Sequence, residues 1–229
     1  MIPLRDINRP SRRPVVTPAL IAINVVVFLW EVVHPRPELA RLFLRYGFTP
    51  YYFISKFHRL YYTPITSMFL HGDWMHLLGN MLYLYIFGDN IEDACGRAKY
   101  VLFYMLSGLG ATFFHFVINM DSRVPAVGAS GAISGILGAY FLLYPNAKIE
   151  TLVFYFRFIP VIYYISARWY IGFWFIMQLL LGLLAPEASI AFWAHVGGFL
   201  TGLALIKLFA RRRARAMPVE YYTPPYWYG

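Results

Sequence analysis

Long apolar blocks separated by short polar or aromatic stretches run through this chain. The blocks cover Pro18–Val33 and about Trp74–Asn90, Tyr100–Asn119, Ala129–Tyr144 and Ile190–Phe209. A helix that crosses a membrane needs about 20 predominantly apolar residues, so each block is a candidate span. Between the first two, His34 to Gly72 is rich in Tyr, Phe, Pro and Arg. That stretch is too polar to cross and suits the membrane interface, where aromatic rings partition well.

The region Ile149–Leu184 admits two readings. It is too long for one straight span and holds Arg157, Pro160 and Arg168. It is either two short spans or an interfacial segment followed by one span, Ala167–Leu184. Charge chooses between them. Basic residues cluster at Arg5, Arg9, Arg12 and Arg13, and again at Lys207, Arg211, Arg212, Arg213 and Arg215. Basic flanks mark the cytoplasmic side, so both ends lie there and the number of spans is even. The expected fold is therefore an all-α polytopic membrane protein with six transmembrane helices. Its parts are a basic cytoplasmic N-terminus (1–17), a six-span membrane domain (18–209) and a basic, then aromatic and Pro-rich, cytoplasmic tail (210–229). The first block lacks a small-x-small cleavage site after it and reads as a retained span. The short basic N-terminus, with no added soluble domain, points to a prokaryotic plasma membrane.

Composition agrees. The chain is 59% hydrophobic and only 14% charged, against roughly 25% charged in a soluble domain. The net charge of +9 raises the question of nucleic acid. The cations sit at the ends rather than in a stripe interleaved with aromatics, so they read as topology signals and lipid-headgroup contacts. No nucleic-acid partner is expected. The single cysteine, Cys95, allows no disulfide within the chain.

Polar residues inside spans are costly and mark function. With six spans, the second, fourth and sixth all start on the outer side. His76 and Asn80 then fall in the first turns of the second span, Ser130 in the first turn of the fourth and His195 near the start of the sixth, all at one depth. The fourth span is loaded with small residues (Gly131, Ala132, Ser134, Gly135, Gly138, Ala139), as a helix closely packed by its neighbours requires. His195 is followed at i+3 and i+7 by Gly198 and Gly202 on the same face. Close packing of the sixth helix on the fourth would bring the imidazole to the Ser130 hydroxyl. A hydroxyl becomes a competent nucleophile only beside a base, and with no acid at that depth the pair reads as a dyad. His76 and Asn80, spaced i, i+4, share a helix face and offer donors to a developing oxyanion, worth roughly 3 kcal/mol each. His71 reads as a residue that fixes local structure. Zinc is the competing use of His71, His76 and His195. His-x4-His, however, lacks the i, i+4 placement of two ligands on one helix, and no carboxylate joins them, so no metal is expected. His34, His58 and His115 read as interfacial or structural, and Glu92 as a loop anchor hydrogen-bonded to backbone.

These residues resemble the rhomboid family of intramembrane serine proteases. The stretch His71-Gly72-Asp73-Trp74-Met75-His76-Leu77-Leu78-Gly79-Asn80 is similar to its H-x4-H-x3-N motif. Gly128-Ala129-Ser130-Gly131 is similar to G-x-S-G, and Ala194-His195-Val196-Gly197-Gly198 with Gly202 to A-H-x-x-G-x3-G. Glu92 followed by Gly96 fits the family's turn. The resemblance covers about Pro18–Phe209. It implies a six-helix bundle open to water from the outer side, Ser130 as nucleophile and His195 as general base. It further implies His76, Asn80 and the Ser130 amide as oxyanion donors, single-span membrane proteins as substrates, and no cofactor. Two positions depart from the pattern. Tyr62-Thr63 stand where the family often has Trp-Arg, and Ser134 stands where many members carry an aromatic residue packed near the imidazole.

Overall fold

The structure is a computed structural model that describes residues 1–155, 159–185 and 191–211. Arg157 and the tail beyond residue 211, with Arg212, Arg213 and Arg215, lie outside the described residues, as does Ile190 at the start of the last expected span. Each of the six expected spans coincides with a helix: α1 (Val16–Val32), α6 (Trp74–Cys95), α7 (Arg97–Ile118), α8 (Ser130–Leu143), α9 (Ala167–Leu184) and α10 (Phe192–Phe209). Of these, α7, α9 and α10 are long and apolar enough to cross a membrane, and α1 and α8 are shorter apolar helices. Helix α6 has 22 residues and carries Asn80, Asp89, Asn90 and Glu92.

The stretch between α1 and α6 folds into short helices, α2 (Arg36–Tyr46), α3 (Pro50–Ser55), α4 (Phe57–Leu60) and α5 (Thr63–Thr66), and a 3-10 turn, Ser67–Phe69. Proline stands at the first or second position of α2, α3 and α5, where its missing N–H costs nothing and its fixed φ suits a helix start. Thr63, at the departure from the family pattern, is buried and donates to the Leu60 carbonyl at 2.8 Å.

The all-α expectation needs correction. The ambiguous region opens as an antiparallel hairpin, β2 (Lys148–Tyr155) and β3 (Ile159–Ser166), and only then enters α9. Its β-branched and aromatic residues favour a pleated strand, and Pro160 is accommodated because β3 is an edge strand. The N-terminal residues add a third strand, β1 (Ile2–Asp6), antiparallel to β2. Arg5 anchors it by donating from Nε to Glu150 at 2.6 Å. Of the two readings of this region, a non-spanning segment followed by one helix is the one adopted, but that segment is a sheet.

Helix α8 lies at the centre. Every residue from Gly131 to Tyr140 is buried, and its neighbours are α10, α7 and α6. Glycine makes this enclosure possible. A methyl group on Gly198 would collide with the Gly131 carbonyl, one on Gly202 with the Gly135 backbone, and one on Gly138 with the Phe199 carbonyl. The backbones of α8 and α10 thus touch directly, the arrangement that small residues permit between membrane helices. Below this contact the interior fills with Phe87, Phe103, Tyr100, Tyr104 and Tyr140. Large apolar side chains also point outward, among them Val26, Leu78, Phe113, Phe173, Leu183 and Leu208, as lipid-facing surfaces require.

Buried polar groups at the other end of the bundle tie the N-terminal segment in. Glu92, in the last turn of α6, accepts from the amides of Val15, Val16 and Thr17 at 2.8, 2.9 and 2.8 Å and from the Thr17 hydroxyl at 2.9 Å. It caps the first turn of α1, which has no capping side chain of its own, and places a carboxylate at the positive end of that helix. Asp6, the last residue of β1, accepts from the Tyr140 hydroxyl at 2.6 Å and the Asn90 side-chain amide at 2.7 Å.

Two outcomes follow from this packing. Gly198→Ala and Gly202→Ala each lower thermal stability in detergent by about 1–3 kcal/mol through overpacking. Gly79→Ala, whose methyl meets nothing within 4 Å, does not, and equal effects at the three sites would refute the close-contact account. Burial pushes the Asp6 carboxyl up to about 7, against the pull of the Tyr140 and Asn90 donors and with the help of the Asp89 charge. The unfolded group ionises near pH 4, so its contribution to stability is full below about pH 4 and is lost as pH rises through about 7. Asp6→Asn should flatten the fall of the melting temperature over that window. A slope equal to that of the parent protein would count against the assignment.

Candidate active site

Three segments converge near the start of α8. The first is the turn that delivers Ser130. Phe48 and Ala126 exchange backbone hydrogen bonds at 3.0 and 2.8 Å, and the Gly128 amide donates to the Ser67 carbonyl at 2.9 Å. These bonds pin the strand-like approach to α8 against the α5 region. Gly128 then turns with φ +129°, a backbone conformation that L side chains rarely adopt. Ser130 follows as the first residue of α8.

The second segment is the first two turns of α10. They place His195 opposite Ser130, with Nε2 2.9 Å from the Ser130 Oγ. The glycine contacts described above produce this approach. The third is the start of α6, capped by Asp73, whose carboxylate accepts from the His76 amide at 2.8 Å. The Gly72 amide donates to His76 Nδ1 at 3.4 Å. With Nδ1 an acceptor, the ring proton sits on Nε2, which is thereby a donor. A methyl on Gly128 would lie 2.7 Å from His76 Nε2 and 3.4 Å from Ser130 Oγ, so the two groups border one small space. Asn80, one turn along α6, is buried, and its Nδ2 has no hydrogen-bond partner. A buried donor left unpaired is rare in a folded protein and is available to a ligand.

His71 lies behind His76. Its ring is buried and edge-on to the His76 ring at 5.2 Å, while its amide donates to the buried Glu31 carboxylate at 3.1 Å. Burial lowers His71 to about 4, aided by the nearby His76, so the ring is neutral packing behind the site. His115 sits in the last turn of α7 and helps bound a cavity of about 40 Å³ beside Ser130, with Gly108, Ala111 and Thr112. That volume admits a water molecule. His34, just beyond α1, donates from Nδ1 to the Trp30 carbonyl at 2.8 Å, and His58 is exposed on α4.

Sequence reasoning missed one member. Gln178, buried in the middle of α9, places Oε1 2.8 Å from His195 Nδ1. The signal was present, since an amide inside an apolar span is costly. An amide is not the residue type expected behind a catalytic imidazole, so residue type alone does not single it out. Ser134, at the position where an aromatic residue would support the imidazole, instead donates to the Ser130 carbonyl at 2.6 Å. Trp174, one turn before Gln178, lies against the His195 ring at 6.1 Å between centroids. Chemically, the site offers a hydroxyl bonded to an imidazole with nearby donors, the elements of acyl transfer.

The sequence profile of the Rhomboid domain matches residues 58–212. The chain belongs to the rhomboid family. Rhomboid protein 1, mitochondrial, of Saccharomyces cerevisiae is 34% identical over 142 residues, 59% of this chain and 38% of that protein. RHOMBOID-like protein 12, mitochondrial, of Arabidopsis thaliana is 30% identical over 204 residues, 82% of this chain and 56% of that protein. Rhomboid-like protein 11, chloroplastic, of the same plant is 28% identical over 139 residues, 61% of this chain and 46% of that protein. The chain thus spans only about a third to just over half of these rhomboid relatives. Their names also correct the expectation of a prokaryotic plasma membrane. These relatives are organellar, and a short basic N-terminus carries no information that separates the two settings.

The turn before Ser130 is open to test. Gly128→Ala strains a positive φ and drives a methyl into His76 Nε2. It should slow labelling of Ser130 by a serine-reactive fluorophosphonate at least about tenfold, since small misplacements of a reacting group are costly. Labelling at the parent rate would show that this geometry is not required.

Proposed function

We propose that this rhomboid is an intramembrane serine endopeptidase. It cuts single-span membrane proteins in or near their transmembrane segment, using Ser130 as nucleophile and His195 as general base. The observation that carries this reading is the 2.9 Å contact between His195 Nε2 and Ser130 Oγ, a nucleophile–base pair inside an apolar helical bundle. On attack, the hydroxyl proton passes to Nε2 and an acyl-enzyme forms on Oγ. The imidazolium then returns the proton to the leaving amine, and water repeats the sequence to release the acid.

His76 and Asn80 are the proposed oxyanion donors. The proton on His76 Nε2 and the unpaired Asn80 Nδ2 support them, since preorganised donors cost no reorganisation as charge develops. The helices α1, α6, α7, α8, α9 and α10 are the proposed membrane domain. In this reading all six cross, and the polar site opens to water at one membrane face. Helix α8, about 21 Å long at 1.5 Å per residue, falls short of the roughly 30 Å hydrocarbon core. It is sheathed by its neighbours, which leaves room for water above Ser130.

The test is cleavage of a reporter with a helix-destabilised transmembrane segment by purified protein in detergent. Ser130→Ala and His195→Ala should each abolish cleavage and leave the melting temperature near that of the parent. Asn80→Ala should lower kcat by about a hundredfold, with a smaller change in KM. Cleavage that persists in Ser130→Ala would exclude the nucleophile. An inert parent protein would favour a pseudoprotease.

A further inference from the structure

The geometry points to Gln178 as the residue that positions the general base, making a Ser130–His195–Gln178 relay for the proposed peptidase. The inference rests on the reading of Ser130 and His195 given above and extends it to α9. His195 Nδ1 is 2.8 Å from Gln178 Oε1, and His195 Nε2 is 2.9 Å from Ser130 Oγ. With the Gln178 amide oriented so that Oε1 faces the ring, the contacts assign the proton positions. A carbonyl oxygen can only accept, so Nδ1 must carry the ring proton, and Nε2 is left with the lone pair that takes the serine proton. The opposite tautomer would put a proton on Nε2, where it could not act as base, and would set two acceptors face to face at Nδ1.

Gln178 is suited to this by its place as well as its chemistry. It is buried, so water does not compete for Nδ1, and it is neutral, so its burial does not carry the cost of an unpaired carboxylate. Trp174 lies one turn earlier on the same face of α9 and packs beside the imidazole. One helix face thus holds both the orientation and the tautomer of the ring. This accounts for the support of His195 that Ser134 does not supply, its hydroxyl being used by the Ser130 carbonyl. When the serine proton arrives, Oε1 faces the imidazolium as a dipole, which stabilises it less than a carboxylate would.

Gln178→Met keeps the approximate volume and removes the acceptor. In the reporter assay with the full chain, kcat should fall on the order of tenfold to a hundredfold, with KM changed less than about twofold. Gln178→Glu restores an acceptor and adds a charge that favours the imidazolium. It should recover activity at alkaline pH and move the acid limb of the pH–rate profile upward by about one unit. The sign follows because a stabilised imidazolium delivers the free base only at higher pH. A purely structural contact would lower stability without separating kcat from KM. The inference is overturned if Gln178→Met keeps the parent kcat, or if Gln178→Glu leaves the acid limb where it was. Should the Met variant not fold, the limb of the Glu variant alone decides. Cleavage by Ser130→Ala would instead sink the underlying assignment, and the two failures are thereby separable.

Discussion

Direct backbone contact between α8 and α10 is the constraint on which this molecule depends. A Cβ on Gly198 or Gly202 of α10 would enter the backbone of Gly131 or Gly135 on α8, and one on Gly138 would enter the Phe199 carbonyl. In a bilayer, apolar helices gain little from burying surface against one another, so dispersion between close backbones must hold them. The same contact sets distance. Ser130 begins α8 and His195 lies in the first turns of α10, so the glycine register also brings hydroxyl and imidazole within hydrogen-bonding range. Packing and the proposed chemistry therefore cannot vary independently.

A second theme is how an apolar bundle carries polar groups. At one end, Glu92 accepts four hydrogen bonds and caps α1, and Asp6 is held by Tyr140 and Asn90. These groups are satisfied and anchor the N-terminal segment and its strand. Near Ser130 the pattern differs. His195 is bonded on both nitrogens, whereas Asn80 Nδ2 is buried and unpaired. Satisfied polar groups lock structure, and an unsatisfied donor beside a nucleophile is where a ligand gains most.

The hairpin and the Gln178 contact show where reading by residue type reaches its limit. Apolar strands and apolar helices share composition, and a run such as Lys148–Ser166 carries no helical or strand period strong enough to separate them. Its two strands pair with each other as a hairpin, and Ile2–Asp6, over 140 residues away in the chain, adds the third strand. The role of Gln178 depends likewise on α9 and α10 lying side by side. Seventeen positions separate it from His195, and no spacing rule links an amide on one helix to an imidazole on the next.

By itself the sequence determined the six helical segments, the Ser130–His195 pairing and the i, i+4 placement of His76 and Asn80. Apolar block length, glycine spacing and helical period are local properties that survive without the fold. It also marked Glu92 as a backbone anchor. Tertiary structure alone decided the addition of β1 to the hairpin, the cap that Glu92 makes on α1, the unpaired state of Asn80 and the acceptor behind His195. Each of these is a hydrogen bond, made or left unmade, between groups far apart in the chain. Which groups meet depends on how closely the helices approach, and here that distance is governed by the glycines between α8 and α10.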